Sequence, residues 1–112
     1  ESVLRSAAHL RDVHEADVAV VPVDGHDLVA PADVAAAIRD DTALVSVAYA
    51  NNEVGTVQDL AGIRAAVGRV PFHSDAVQAA GWLPLAGLPV DAITIAGHKV
   101  GAPKGTGALA IR

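Results

Sequence analysis

Three polar side chains with complementary chemistry, Asn52, Asp75 and Lys99, each follow a short apolar run in the sequence. Apolar runs of this length are typical of strands buried in a parallel sheet. Because parallel strands end at a common edge, we expect the three side chains to gather on one side of the sheet. An amide, a carboxylate and an amine at one edge could bind a small molecule with several polar groups. The amine could also act as a nucleophile or move protons.

Strand and helix patterns alternate along the chain, which predicts an α/β fold with a mostly parallel sheet and helices on both faces. The first predicted helix carries an apolar stripe with a spacing of three and four residues. Thr56 and Asp59 have the spacing of a capping box before a third helix. In this helix Leu60, Ile63 and Val67 should form a buried stripe, and the helix should end at Gly68. The predicted helices span residues 2–15, 32–39 and 60–67, a helical turn spans 76–80, and the predicted strands span 18–23, 44–49, 70–74, 92–96 and 107–111.

The composition is that of one globular domain over residues 1–112, with 52% hydrophobic and 19% charged residues. A net charge of −5 with scattered basic residues argues against nucleic-acid binding. No apolar run is long enough to span a membrane and no signal-peptide pattern is present, so a cytoplasmic location without a membrane partner is expected. With no cysteine, the chain can form neither a disulfide nor a thiolate metal site.

Three motifs resemble those of the class V aminotransferase group of pyridoxal-phosphate enzymes, and most of all those of the cysteine desulfurases. They are Asn-Asn-Glu-Val-Gly-Thr at 51–56, His-Ser-Asp-Ala-Val-Gln-Ala-Ala-Gly at 73–81, and Ala-Gly-His-Lys at 96–99 followed by Ala-Pro-Lys-Gly-Thr-Gly at 102–107. Their order and approximate spacing also match the family. The resemblance implies the large domain of the fold-type I enzymes, in which strand 107–111 runs antiparallel to the others.

The resemblance also implies roles for five residues around pyridoxal 5'-phosphate. Lys99 would form the Schiff base with the cofactor aldehyde, and Asp75 would pair with the pyridine nitrogen. Gln78 and Asn52 would lie near the phenolic oxygen, and His98 would face the phosphate end. Judged alone, Asn52 and Gln78 could equally serve as loop-capping residues.

Two further residues near these motifs are predicted to be structural. Lys104 lies in a loop between a proline and a glycine, and we expect it to be solvated or structural. His73 should point to the opposite face of its strand from Ser74. His73 and Asp75 could be two ligands of a metal, but two ligands without a third are weak evidence, and no metal site is predicted.

The sequence departs from the family pattern in ways that bear on its function. Ala96 occupies the position, three before the cofactor lysine, where the family usually has a serine that contributes to phosphate binding. The phosphate is then held by other groups, or its binding is weakened. The phosphate loop, the histidine that stacks on the cofactor and the persulfide-forming cysteine would all lie outside these residues. The chain is therefore expected to be the central part of a large domain, inactive by itself.

The resemblance implies a homodimeric cysteine desulfurase. Such an enzyme converts L-cysteine to L-alanine and passes the sulfur, as a persulfide on its own cysteine, to an acceptor protein for iron–sulfur cluster assembly or thiolation. Two alternatives stay open: another class V activity, either transamination or a lyase reaction, and a non-catalytic α/β module or truncated remnant. Because exposed strand edges favour pairing, the chain by itself is expected to associate or to be poorly soluble.

Overall fold

The computed structural model describes residues 2–112, and its centre is a four-stranded sheet. The strand order is β1-β2-β3-β4; β1, β2 and β3 are parallel, and β4 is antiparallel to β3. The predicted mostly parallel sheet with an antiparallel last strand is therefore confirmed. The strands are β1 (Val45–Ala48), β2 (Phe72–Asp75), β3 (Ala92–Ala96) and β4 (Gly107–Ile111).

Three α-helices accompany the sheet, at positions close to those predicted. They are α1 (Ser2–His14), α2 (Pro31–Ala37) and α3 (Leu60–Val67). The capping box before α3 was assigned to the wrong residue. Asp59 itself is the N-cap, and its carboxylate accepts a hydrogen bond from the backbone N–H of Gly62 at 2.9 Å. Thr56 lies earlier in the loop, where its hydroxyl donates to the backbone oxygen of His26 at 3.0 Å.

The core lies on one face of the sheet, against α2 and α3. Alternation along β2 directs Phe72 and Ser74 to this face, and both are fully buried. The Ser74 hydroxyl satisfies its hydrogen-bonding capacity by donating to the backbone oxygen of Val47 on β1 at 3.0 Å. The apolar stripe of α3 is buried as predicted. The core cluster consists of Val34, Leu60, Ile63, Val67, Phe72 and Val90.

Arg64 on α3 fastens this helix to the sheet. Its Nε donates to the backbone oxygen of Pro89 at 3.0 Å, and its guanidinium contacts both the carboxylate of Asp91 and the ring of Phe72. Asp91 in turn accepts a hydrogen bond from the backbone N–H of Phe72 at 2.8 Å. That N–H and the Arg64 guanidinium together hold the pKa of Asp91 below its usual value. The beginnings of β2 and β3 are thus joined to α3.

The opposite face of the sheet, which we call the open face, carries a different set of side chains. The strand register places Ser46, His73, Asp75 and Thr94 on it. At β4 it also carries Ile111, which is 71% exposed. The sequence predicts helices on both faces of the sheet. Within residues 2–112, α2 and α3 cover the core face.

Two predictions for the first part of the chain need correction. Residues 18–23 form no strand, and within the described chain β1 has β2 as its sheet neighbour on one side and an open edge on the other. A β-branched run favours an extended backbone, but a strand also needs a hydrogen-bonding neighbour. Helix α1 is present, yet its stripe residues Leu4, Leu10 and Val13 are 48–59% exposed. Periodicity identified the helix correctly but not its burial.

Candidate functional site

The carboxyl edge of the three parallel strands brings the candidate residues to one side of the molecule. The chain leaves β1 toward Asn52, ends β2 at Asp75, and leaves β3 toward Lys99. Pairing of Ala48 with Asp75 and of Asp75 with Thr94 shows that the three strands reach this edge in register. The ends of the three strands thus lie at one edge of the sheet, and the gathering of Asn52, Asp75 and Lys99 in one site stays a prediction.

Asp75 lies between its two neighbouring strands at the last position of β2. Its backbone oxygen accepts a hydrogen bond from the N–H of Tyr49 at 2.8 Å, which ties it to the end of β1. Its Oδ1 accepts a hydrogen bond from the N–H of Val77 at 3.0 Å. No side chain or backbone donor within residues 2–112 occupies its Oδ2. The carboxylate is half-buried and is anchored through one oxygen. Its other oxygen can accept a hydrogen bond from a ligand.

The turn after β1 distinguishes the two adjacent asparagines. Asn51 caps the turn: its Oδ1 accepts hydrogen bonds from the N–H of Glu53 at 2.8 Å and of Val54 at 3.5 Å. Its backbone pairs with Thr56 and Gly55. Asn52 is exposed and makes no side-chain hydrogen bond within the described chain. The loop-capping role that the sequence left open for Asn52 is performed by Asn51, which leaves the Asn52 amide available for a ligand.

Lys99 is carried by a 3-10 turn, Gly97–Lys99, which begins directly at the end of β3. The N–H of Gly97 donates to the backbone oxygen of Thr106 at 2.8 Å, and the backbone oxygen of Gly97 accepts from the N–H of Ala102 at 2.9 Å. A Cβ at Gly97 would lie only 2.1 Å from Oγ1 of Thr106 and 3.0 Å from Cβ of Ala102. The returning loop therefore packs against a bare backbone, and this close approach fixes where the turn projects Lys99.

The remaining candidates occupy the same edge or the adjacent loop. Gln78 is half-buried in the helical turn after β2, where the N–H of Ala80 donates to the oxygen of Ala76 at 2.9 Å. His98 and Lys99 are both exposed on the 3-10 turn. Lys104 is exposed in the following loop, as expected.

His73 has a more specific environment than the sequence indicated. Its Nδ1 lies 2.8 Å from the hydroxyl of Ser46 on β1, and its Nε2 lies 3.2 Å from the hydroxyl of Thr94 on β3. Burial lowers the pKa of this imidazole below its usual value, and the Asp75 carboxylate opposes part of that shift. Its predicted orientation away from Ser74 is confirmed. Its two hydroxyl partners were missed, because they become neighbours only through the strand register.

The structure also bears on metal and membrane binding. Within residues 2–112 there is no group of three or more histidine, cysteine, aspartate or glutamate side chains placed to hold a metal ion. Among the helices of the same residues, none has the length and apolar character needed to cross a membrane.

Comparison with known proteins identifies the family. The model of the class V aminotransferase family matches residues 1–112, and the chain belongs to this family. It is 44% identical over 100 residues to the cysteine desulfurase IscS of Methanosarcina thermophila, covering 86% of this chain and 25% of that protein. It is 42% identical over 114 residues to a mitochondrial cysteine desulfurase of Arthroderma benhamiae, covering 98% of this chain and 22% of that protein.

Solved structures agree with this assignment. A structure described as SspA in complex with cysteine matches 98% of this chain and 33% of its own, with a TM-score of 0.89 and 33% sequence identity. The chain spans about a quarter of the length of the curated relatives that it matches.

Proposed function

We propose that the protein carrying this chain is a pyridoxal-phosphate-dependent cysteine desulfurase. The observation that carries the proposal is the arrival of Asn52, Asp75 and Lys99 at one edge of the sheet, each from a different parallel strand. Membership of the class V family and the similarity to named cysteine desulfurases support the choice of reaction.

The residues present fit pyridoxal phosphate. Asp75 offers a half-buried carboxylate with one oxygen anchored by Val77, which suits it to hold a proton on the pyridine nitrogen. The amides of Asn52 and Gln78 can donate to the phenolic oxygen. Lys99 supplies the amine that attaches the cofactor, and His98 is the candidate for its phosphate end. Ala96 brings no hydroxyl to that end, so the phosphate would be held by other donors.

The chemistry divides between cofactor and chain. Bound pyridoxal phosphate supplies an electron sink for the substrate α-carbon. Lys99 would hold the cofactor through its amine, and the same amine, when free, would carry a proton between substrate atoms. Asp75 would keep the pyridine nitrogen protonated, so that the ring can draw electrons from the substrate α-carbon. The close approach of Thr106 to Gly97 would hold the backbone of the turn that carries Lys99 at this edge.

The sulfur step requires a group outside these 112 residues, because the chain contains no cysteine. A thiolate there takes the substrate sulfur: the carbon–sulfur bond breaks, a sulfur–sulfur bond forms, and the remaining three-carbon unit gains a proton to become L-alanine. The persulfide would then pass its sulfur to an acceptor protein. A homodimer and a cytoplasmic location remain part of this proposal.

The decisive experiment loads the natural protein with pyridoxal phosphate, reduces it with borohydride and maps the modified lysine by mass spectrometry. We expect a visible absorption band before reduction and an adduct on Lys99. Modification of Lys104, or of exposed lysines without preference, would contradict the proposed site. Incubation with L-cysteine then tests the reaction: equimolar L-alanine and protein-bound sulfur support desulfuration, whereas another product from a loaded enzyme indicates a different class V activity. Absence of any band would favour the non-catalytic alternative.

A further inference from the structure

The open face contains a hydrogen-bonded bridge that crosses three strands. His73 on β2 lies between Ser46 on β1 and Thr94 on β3, with one hydroxyl at each ring nitrogen. Register pairs Ser46 directly with His73, and Thr94 with Asp75 two residues further along β2. Because alternate residues share a face, the bridge and the Asp75 carboxylate lie on the same side of the sheet. One end of the bridge, Thr94, is therefore the residue paired with Asp75.

We propose that His73 is a positioning residue for Asp75: as a neutral imidazole held between Ser46 and Thr94, it fixes the strand end that presents the carboxylate. This inference rests on the proposed function, in which Asp75 pairs with the ring nitrogen of the cofactor. The bridge limits relative movement of β1, β2 and β3 at the edge where the three candidate residues gather. A positioned carboxylate matters because small displacements of catalytic groups weaken their interactions steeply.

The neutral form of His73 also has an electrostatic consequence. On the open face, the positions of β1, β3 and β4 within the described residues carry serine, threonine, alanine, glycine, leucine and isoleucine, and Asp75 is the titratable neighbour on β2. A neutral imidazole leaves the charge of Asp75 to act on the protonated ring nitrogen. A cationic imidazole would instead attract the Asp75 carboxylate and weaken its interaction with the ring nitrogen. Burial lowers the pKa of His73, which keeps the neutral form dominant at neutral pH.

The hydroxyl partners suit this role. Each hydroxyl can donate or accept, so the bridge is satisfied with the ring proton on either nitrogen. Protonation of the ring would require both hydroxyls to accept at once. His73→Asn places an amide near the position of Nδ1, and His73→Gln places one near the position of Nε2. Each variant therefore keeps half of the bridge without a group that titrates near neutral pH, whereas His73→Phe fills the space and keeps neither contact.

The test measures pyridoxal-phosphate affinity of the natural protein from pH 5 to pH 8 for the wild type and the three variants. We expect wild-type affinity to fall as pH decreases through the His73 pKa, with a step that H73N and H73Q lack. At neutral pH, H73F should bind about tenfold or more weakly, and H73N and H73Q should stay closer to the wild type. The ring itself is followed in the cofactor-free protein by NMR of 13Cε1-labelled histidine, with the His73 signal assigned by its loss in H73Q.

The outcomes separate the inference from the proposed function. If H73F binds the cofactor like the wild type, or if the acid step persists in H73N and H73Q, His73 does not position Asp75 and the inference is overturned. If NMR finds His73 cationic at neutral pH, it is overturned in the same way. If the wild type binds no cofactor at any pH while NMR shows a neutral His73 at neutral pH, the proposed function is contradicted. The role assigned to Asp75 is then contradicted with it.

Discussion

Alternate residues of β2 face two environments that differ in burial and in chemistry. Phe72 and Ser74 are fully buried against α2 and α3, and the hydroxyl of Ser74 is satisfied by the neighbouring strand. His73 and Asp75 are half-buried on the open face, and Asp75 keeps one carboxylate oxygen available. A single four-residue strand thus contributes stability through one face and a candidate binding site through the other. The two contributions can be altered separately.

The largest expected effect comes from Lys99. Replacement by arginine keeps the charge and removes the nucleophilic amine, so covalent attachment of pyridoxal phosphate should be lost completely. Turnover of L-cysteine should fall by at least about 10²–10⁴-fold, the usual contribution of a positioned proton-transfer group. The thermal midpoint of the cofactor-free protein should stay unchanged. Absorbance, product analysis and thermal unfolding measure the three quantities, and Lys104→Arg is the matched control, which should leave all three unaltered.

Phe72→Ala should have the largest effect on stability, because it empties a site at 0% exposure in the core. The expected loss is about 3–5 kcal/mol in the free energy of unfolding. Urea or thermal unfolding of the natural protein measures it. Asp40→Ala, at an exposed polar position of a turn, should change the same quantity by no more than about 0.5 kcal/mol. Equal losses in both variants would contradict the assignment of the core to this face of β2.

Gly97→Ala should disturb the site more than the core. Its new methyl group would meet Thr106 Oγ1 at 2.1 Å, so the loop or the Lys99 turn must move. We expect a stability loss of about 1–3 kcal/mol together with weaker cofactor binding. Gly25→Ala, where a methyl group would meet nothing within 4 Å, is the control. Cofactor affinity that is unchanged in G97A would show that the close contact does not position Lys99.

The smallest effect concerns Asp91 and acid stability. Its folded-state pKa lies below the unfolded value because the N–H of Phe72 and the guanidinium of Arg64 favour the carboxylate. The resulting stability is complete above the unfolded pKa of about 3.9 and is lost as the pH falls through the lower folded pKa. Asp91→Asn should therefore flatten the decrease in thermal midpoint between about pH 5 and pH 2.

Particular residues show why sequence reasoning succeeded in some places and failed in others. The apolar runs before Asn52, Asp75 and Lys99 are local signals, and topology alone then brought the three strands to one edge. The apolar stripe of α3 and the glycine that ends this helix are also signals carried by neighbouring residues. The strand predicted at residues 18–23 failed because the same extended, β-branched pattern has no hydrogen-bonding neighbour within the described chain. Asn51 rather than Asn52 caps its turn, a choice that depends on the direction of one side chain.

The sequence by itself determined the family, the alternation of helices and strands, and the residue types that arrive at the carboxyl edge, because these follow from motifs and from local periodicity. The tertiary structure alone decided which face of the sheet is covered, which residue caps α3, and which hydroxyls flank His73. The flanking of His73, for example, depends on contacts between residues 21 and 27 positions apart, in the bridge from Ser46 through His73 to Thr94. Strand register sets such contacts, and it is fixed only when the sheet and its core pack together.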